Sequence, residues 1–391
     1  MLPGISGPGI IAEFNPLHNG HKYLIDRAKN DGNTVVCVIS GNFVQRGDTA
    51  IIPKFARAEM SLISGADVVV ELPSPWAMST AQNFAFGALS QLLAFGIDSL
   101  YFGSESSNIE ELLKIAQILT SEEYNNKILS SSNKNITFAA LRSQIVSEMI
   151  GYKTDILNSP NDTLAVEYIC AAKKLNANIK FVPVKRIGAG HNDTDSSDEF
   201  TNATLLREAV LSGNIEFINK YMPKESSDIL LNSPISNIER LDTAIISHLK
   251  LLNKNDFSSL PDVSEGLDNL LYNKIRTSMT YSGLLAELKS KRYTLARIRR
   301  LILSAFLGIN KKYFLTEPPY VRLLGFKENA IEFLNKTANK PVISKVSQIN
   351  DLDLLSQELF SLENKINEIY ALSLDKPELF VNECKEKIIK K

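Results

Sequence analysis

Apolar positions fall in short, nearly unbroken runs through the first half of the chain. Gly9–Phe14, Thr34–Ser40, Asp67–Leu72, Ser99–Gly103 and Ile179–Val184 are dominated by Ile, Val and Leu and show little polar alternation. Strands buried on both faces read this way. Between the runs, apolar residues recur every three or four positions. His21–Lys29 has this spacing, as do Lys54–Ser64 with Ala56, Met60 and Ile63 on one face, and Thr80–Phe95 with Phe84, Ala88 and Leu92 on one stripe. A further helix is expected from Asn158-Ser159-Pro160-Asn161-Asp162 to about Lys174. Strands alternating with helices predict an α/β fold, a Rossmann-like parallel sheet built by right-handed crossovers. Beyond about residue 215 the helical period takes over, in Ile238–Asn253, Leu267–Met279, Tyr281–Leu288, Thr294–Leu307 and Leu352–Tyr370. The expected organisation is a loose extension at 1–8, an α/β nucleotide-binding domain at 9–214 and a mainly α-helical C-terminal domain at 215–391.

In a parallel sheet the ligand lies beyond the carboxyl ends of the strands, so the strand ends matter most. After the first run comes Glu13-Phe14-Asn15-Pro16-Leu17-His18. After the second comes SGNFVQRGD, after the third Glu71-Leu72-Pro73, and after the fourth Gly103-Ser104-Glu105. After the fifth comes Lys185-Arg186-Ile187-Gly188-Ala189-Gly190-His191. Thr201-Asn202-Ala203-Thr204-Leu205-Leu206-Arg207 then opens another helix, with a capping-type Thr at its start.

Composition narrows the class without naming the chemistry. The chain has 391 residues, 44% hydrophobic and 22% charged, with a formal net charge of −1. Any nucleic-acid site must therefore be a local patch. Its 3 cysteines lie far apart without CxxC spacing, which argues against a zinc site or a disulfide framework and suits a reducing cytoplasm. No apolar run approaches the roughly eighteen residues of a membrane span, and the first residues lack a signal-peptide pattern. A cytoplasmic location and no membrane partner are expected.

His18-Asn19-Gly20-His21 stands where the first strand turns into a helix. Glycine lets the backbone approach a phosphate, the helix N-terminus offers free N–H groups, and two imidazoles can donate to phosphate oxygens as negative charge grows. Each such donor is worth roughly 10²–10³ in rate. The plainer reading of so short a motif is a loop with two exposed polar residues. Thr204 and Arg207 would lie on the first turn of their helix, where a hydroxyl and a guanidinium could hold a leaving pyrophosphate; the plainer reading there is a capped helix with a surface arginine. Downstream, Lys289, Lys291, Arg292, Arg297, Arg299 and Arg300 crowd around Tyr293. This is either a nucleic-acid site or a solvated basic face.

Together these segments resemble the HIGH-type nucleotidyltransferases, and one branch closely: the bacterial tRNA(Met) cytidine acetate ligases. The resemblance is carried by GIIAEFNPLHNGH, ISGNFVQRGD, Lys54-Phe55-Ala56-Arg57, GADVVVELP, YFGSE, NSPNDTLAVEY, KRIGAGHND, KRYTLARIRRLIL and YVRLLGF. The family's second signature, Ser-Ala-Thr-x-Ile-Arg, departs here at Asn202 and Leu206. The resemblance implies ATP-dependent acetylation of the wobble cytidine of elongator tRNA(Met). Acetate attacks the α-phosphate of ATP, and the acetyl-adenylate then passes its acetyl group to the exocyclic amine, with Mg²⁺ bound through the phosphates. Carried over residue by residue, it makes His18, His21, Thr204 and Arg207 catalytic. It lines the ATP site with Ile11, Ala12, Glu13, Phe14, Asn15, Pro16 and Leu17, then with His18, Asn19, Gly20, His21, Lys22, Tyr23 and Leu24. Gly103, Asn161 and Arg186 join them. Lys54, Arg57, Lys291, Arg292, Arg297, Arg299 and Arg300 are tRNA-contact candidates, Lys54 and Arg57 being phosphate candidates as well. His191 and His248 are expected outside the chemistry. A small-molecule adenylyltransferase and a nucleotide-sensing tRNA-binding protein without turnover are the alternatives; the basic segment weighs against the first and the intact histidine motif against the second.

Overall fold

The computed structural model describes residues 6–31, 34–131, 137–186, 199–263, 266–290, 293–383 and 385–391, with the side chains at 336 and 337 excepted. Lys291, Arg292, His191 and most of KRIGAGHND lie outside the described residues.

The strands are β1 (Pro8–Ala12), β2 (Val36–Ser40), β3 (Phe43–Val44), β4 (Asp48–Thr49), β5 (Val68–Leu72), β6 (Ser99–Ser104), β7 (Lys180–Lys185), β8 (Val321–Phe326), β9 (Val342–Ile343) and β10 (Ile389–Lys390). One eight-stranded sheet runs β10-β8-β5-β2-β1-β6-β7, with β9 on β8, while β3 and β4 form a separate hairpin. The stretch β5-β2-β1-β6-β7 is parallel throughout. The unbroken apolar runs have a simple cause. Successive side chains point to opposite faces, and both faces are covered. Ile11, Val36, Val38, Val68 and Val70 join the core that packs under the helices Ala81–Leu93 and Pro160–Lys174. Ile10, Cys37, Ile39 and Val69 join the core on the other face. There they meet α1 (Asn19–Asp31), α2 (Lys54–Ile63) and the helix Ala203–Ser212.

Two boundaries differ from the sequence expectation. Pro8 already belongs to β1, and Asp98 N–H donates to Gly7 O at 3.3 Å, so the packed unit begins before Gly9. More important, the C-terminal part is not a separate helical domain. A helical core of its own gathers around Ile245, Leu271, Leu284 and Ile302, but Val321–Phe326 then enters the main sheet antiparallel to β5, buried along its whole length. The short YVRLLGF run reads as part of the helical domain because one buried strand has no repeat to reveal it. Its Arg322 is tolerated in the interior because Glu383 faces it at 2.9 Å. Residues Ile218, Tyr221 and Leu230, placed beyond the expected boundary at 214, also pack into the first unit's core.

Candidate active site

The strand order reverses at β1, which has β2 on one side and β6 on the other. The connections leaving these strands diverge, and a crevice opens beyond their carboxyl ends. Phe14 makes the turn out of β1. Its backbone is left-handed at φ 46° and its ring is fully buried, so the loop's direction is anchored by packing. The same turn fixes Asn15, whose side-chain Oδ1 accepts from Ile51 N–H at 2.7 Å.

His18 and His21 stack with ring centroids 3.7 Å apart and 23° between planes. Gly20 N–H donates to His18 Nδ1 at 3.1 Å, and His18 N–H donates to His21 Nδ1 at 3.3 Å. Because each Nδ1 lone pair is taken by a backbone donor, the ring proton of each neutral imidazole sits on Nε2. Burial, followed by Arg186 and Arg207, pushes the His18 pKa down to about 3. Burial, His18 and Arg186 hold His21 well below its usual value. Both rings are therefore neutral N–H donors at neutral pH. Gly20 permits the arrangement: a Cβ there would lie 3.0 Å from His18 Cε1 and 3.1 Å from Nδ1.

The helix Ala203–Ser212 supplies the opposite wall. Its N-cap is Asn202 rather than Thr201, with Oδ1 accepting from Thr204 N–H and Leu205 N–H, both at 3.0 Å. Asparagine thus performs the capping that a serine would perform at this position. Arg207 donates from Nη1 to Asn15 O at 2.9 Å and from Nη2 to Thr204 Oγ1 at 3.1 Å, tying the two strand-end segments together. Arg186 follows β7 and crosses Gly103, where a Cβ would sit 3.4 Å from its Cγ. Asn161 is inside its helix rather than at the cap, and donates from Nδ2 to Glu105 Oε1 at 2.6 Å.

These groups enclose a cleft of about 280 Å³. Its polar side holds the imidazoles, Arg186 and Arg207, and its apolar side holds Phe84, Phe102, Leu164 and Tyr168. Residues 6–383 match the model of the HIGH Nucleotidyl Transferase family. The tRNA(Met) cytidine acetate ligase of Clostridium novyi (strain NT) is 36% identical, over 91% of this chain and 95% of its own length. That of Thermoanaerobacter sp. (strain X514) is 37% identical, over 93% and 94%. The crystal structure of Thermotoga maritima TmcAL (apo, form I) is similar at TM-score 0.91 and 32% identity, covering 98% of this chain and 99% of that one. The same protein bound with alpha-thio ATP (form II) gives TM-score 0.88 at 31% identity, over 98% and 99%. The chain belongs to the tRNA(Met) cytidine acetate ligase family of HIGH nucleotidyltransferases.

Most of the family positions read from the sequence do meet in one cleft. Ile11, Ala12, Glu13, Phe14, Asn15, His18, Gly20, His21, Tyr23 and Leu24 line it, with Gly103, Asn161, Arg186 and Arg207. Others in that stretch face elsewhere. Leu17 is core, Pro16 is buried beside it, Asn19 donates to Glu199 O and Lys220 O, and Lys22 pairs with Asp26 across one helical turn. Thr204 reaches the cleft through its bond to Arg207. Gln45, Arg46, Tyr168 and Phe200 also line it. The SGNFVQRGD strand end pointed to the first two, whereas nothing local marked Tyr168 or Phe200.

The cations proposed from sequence for phosphate or tRNA contact need correction. Lys54 is buried, with Nζ 2.7 Å from Glu71 Oε2 and 2.8 Å from Glu383 Oε2. Burial opposes its charge, but Glu383 and Glu71 outweigh burial and raise its pKa. Arg57, fully buried, donates to Glu13 O at 2.7 Å and Ser40 O at 2.9 Å, and also to Gly41 O. It ties down the ends of β1 and β2 and meets no solvent. Arg297, Arg299 and Arg300 lie on the helix Leu295–Leu307 and are largely engaged. Arg297 and Arg300 each lie 3.3 Å from Asp262, and Arg299 lies 3.8 Å from Asp48. Arg299 and Arg300 brace the β3–β4 hairpin, whose Gly47 (φ 73°) fits so closely that a Cβ would be 2.6 Å from Arg300 N.

Proposed function

We propose that this chain acetylates the wobble cytidine of elongator tRNA(Met), consuming acetate and ATP through an acetyl-adenylate and releasing AMP and pyrophosphate. The observation that carries this reading is the pair of buried, stacked imidazoles in the switch-point cleft, each with its Nδ1 accepting a backbone N–H. It is supported by the chain's full-length similarity to tRNA(Met) cytidine acetate ligases and to a TmcAL bound with alpha-thio ATP. Neutral donors suit this task. They bind the α-phosphate oxygens more strongly as charge builds up there in the transition state, in a site partly shielded from water. Arg207, held by Asn15 and Thr204, draws the leaving pyrophosphate, and Arg186 and Asn161 hold the nucleotide beside Gly103. In-line attack on phosphorus requires positioning and charge neutralisation more than covalent chemistry by the protein.

Mg²⁺ enters with ATP, bound through its phosphates. The donors of the polar wall are N–H groups and guanidinium, which fit phosphate oxygens, so the ion belongs to the nucleotide side of the contact. No helix among the described residues is long and apolar enough to cross a membrane, and a tRNA substrate puts the reaction in the cytoplasm.

The test is purified protein with ATP, labelled acetate and bulk tRNA. Label appearing at the wobble cytidine of elongator tRNA(Met), with AMP formed in equal amount, is expected. AMP joined to a small metabolite, or nucleotide and tRNA binding without product, would overturn the assignment.

A further inference from the structure

We infer that Glu13 is the general base of acetyl transfer, accepting a proton from the cytidine exocyclic amine; this rests on the function proposed above. Such an amine is a poor nucleophile because its lone pair is conjugated with the ring. As its nitrogen bonds to the acetyl carbon it becomes cationic, and a base in contact removes that charge. General bases of this kind contribute typically about 10²–10⁴ in rate. The base must face the cleft and present an unoccupied lone pair.

Among the described residues the cleft offers one group of that kind. His18 and His21 cannot serve, because each Nδ1 already accepts a backbone N–H and each Nε2 carries the proton. Arg46, Lys185, Arg186 and Arg207 are cations. The Tyr168 phenol is held protonated, burial being the main cause and Glu13 a lesser one. Glu105 has both oxygens occupied, Oε1 by Asn161 and Oε2 by Asp162 N–H at 2.9 Å, and it does not line the cleft. Glu13 is the one carboxylate among the described lining residues. Its Oε1 accepts from Gln45 N–H at 2.7 Å, while Oε2 has no hydrogen-bond partner among the described residues. Arg57 Nη1 pins its backbone carbonyl at 2.7 Å. Its position is therefore set from both ends, by the β3–β4 hairpin and by the end of β1, and one oxygen is left open.

The step balances without another reactant. The cytidine N4–carbon bond forms, one N4 proton passes to Glu13 Oε2, and the bond from the acetyl carbon to the phosphate oxygen breaks. AMP leaves with that electron pair. The half-buried carboxyl then returns its proton to water.

Glu13→Gln keeps an oxygen for Gln45 N–H and removes the base. Acetate-dependent ATP–pyrophosphate exchange and single-turnover acetyl transfer to tRNA are measured in parallel. Transfer is expected to fall at least about 100-fold more than exchange, with acetyl-adenylate accumulating. An equal fall in both reactions, or unchanged transfer, would overturn the role. A wild-type chain that places no acetate in tRNA overturns both this inference and the function beneath it.

Discussion

Gly20→Ala separates the chemistry of the imidazole pair from the stability of the helix that carries it. Gly20 lies in the first turn of α1, and its backbone is not left-handed. Alanine is therefore conformationally acceptable and, by helix propensity, favoured by up to about 1 kcal/mol, less so near a helix end. The added methyl would nevertheless sit 3.0 Å from His18 Cε1 and 3.1 Å from Nδ1, several tenths of an ångström inside ordinary contact. The ring cannot retreat freely, because it is buried and stacks on His21 at 3.7 Å. Moving it strains the Gly20 N–H to Nδ1 bond that fixes its tautomer. Loss of one preorganised donor costs about 10²–10³ in rate, equivalent to about 2.7–4 kcal/mol of transition-state stabilisation. The assay is acetate-dependent ATP–pyrophosphate exchange beside a thermal melt. Exchange should drop at least about 100-fold while Tm stays within about 2 °C of wild type. Wild-type exchange would refute the claim that the stacked pair acts on phosphate. A Tm lowered by more than about 5 °C would show that the variant acts by unfolding the helix.

The remaining predictions address neighbouring parts of the structure. His21→Ala should abolish acetyl-adenylate formation while tRNA affinity, read by filter binding, stays close to wild type. Lys54→Met leaves Glu71 and Glu383 without their shared ammonium and should cost about 3–5 kcal/mol in urea unfolding; unaltered stability with weakened tRNA binding would restore Lys54 as a surface contact. His18 has a folded-state pKa lowered from 6.5 to about 3, so between those values the unfolded chain binds the extra proton. Its contribution to stability should be complete above pH 6.5 and lost progressively as pH falls toward about 3. His18→Gln should flatten that part of the urea-midpoint profile.

Local pattern determined a large part of this molecule. The five parallel strands were legible because burial on both faces demands continuous Val, Ile and Leu, and that demand is met within each short segment. The turn from β1 into α1 was legible for the same reason: Phe14, Asn15, Gly20 and the two histidines lie within one contiguous stretch. Tertiary structure decided what depends on partners far apart in the chain. Lys54 reads as a surface cation until Glu383 is placed beside it, and Arg57 until the carbonyls at two strand ends converge on it. Arg297 and Arg300 read as a basic face until Asp262 and the hairpin at Gly47 occupy them. The Val321–Phe326 strand enters the sheet only because β5 offers it an edge. Charge and periodicity are properties of a segment; whether a charge is free, paired or buried is set by what the fold brings against it.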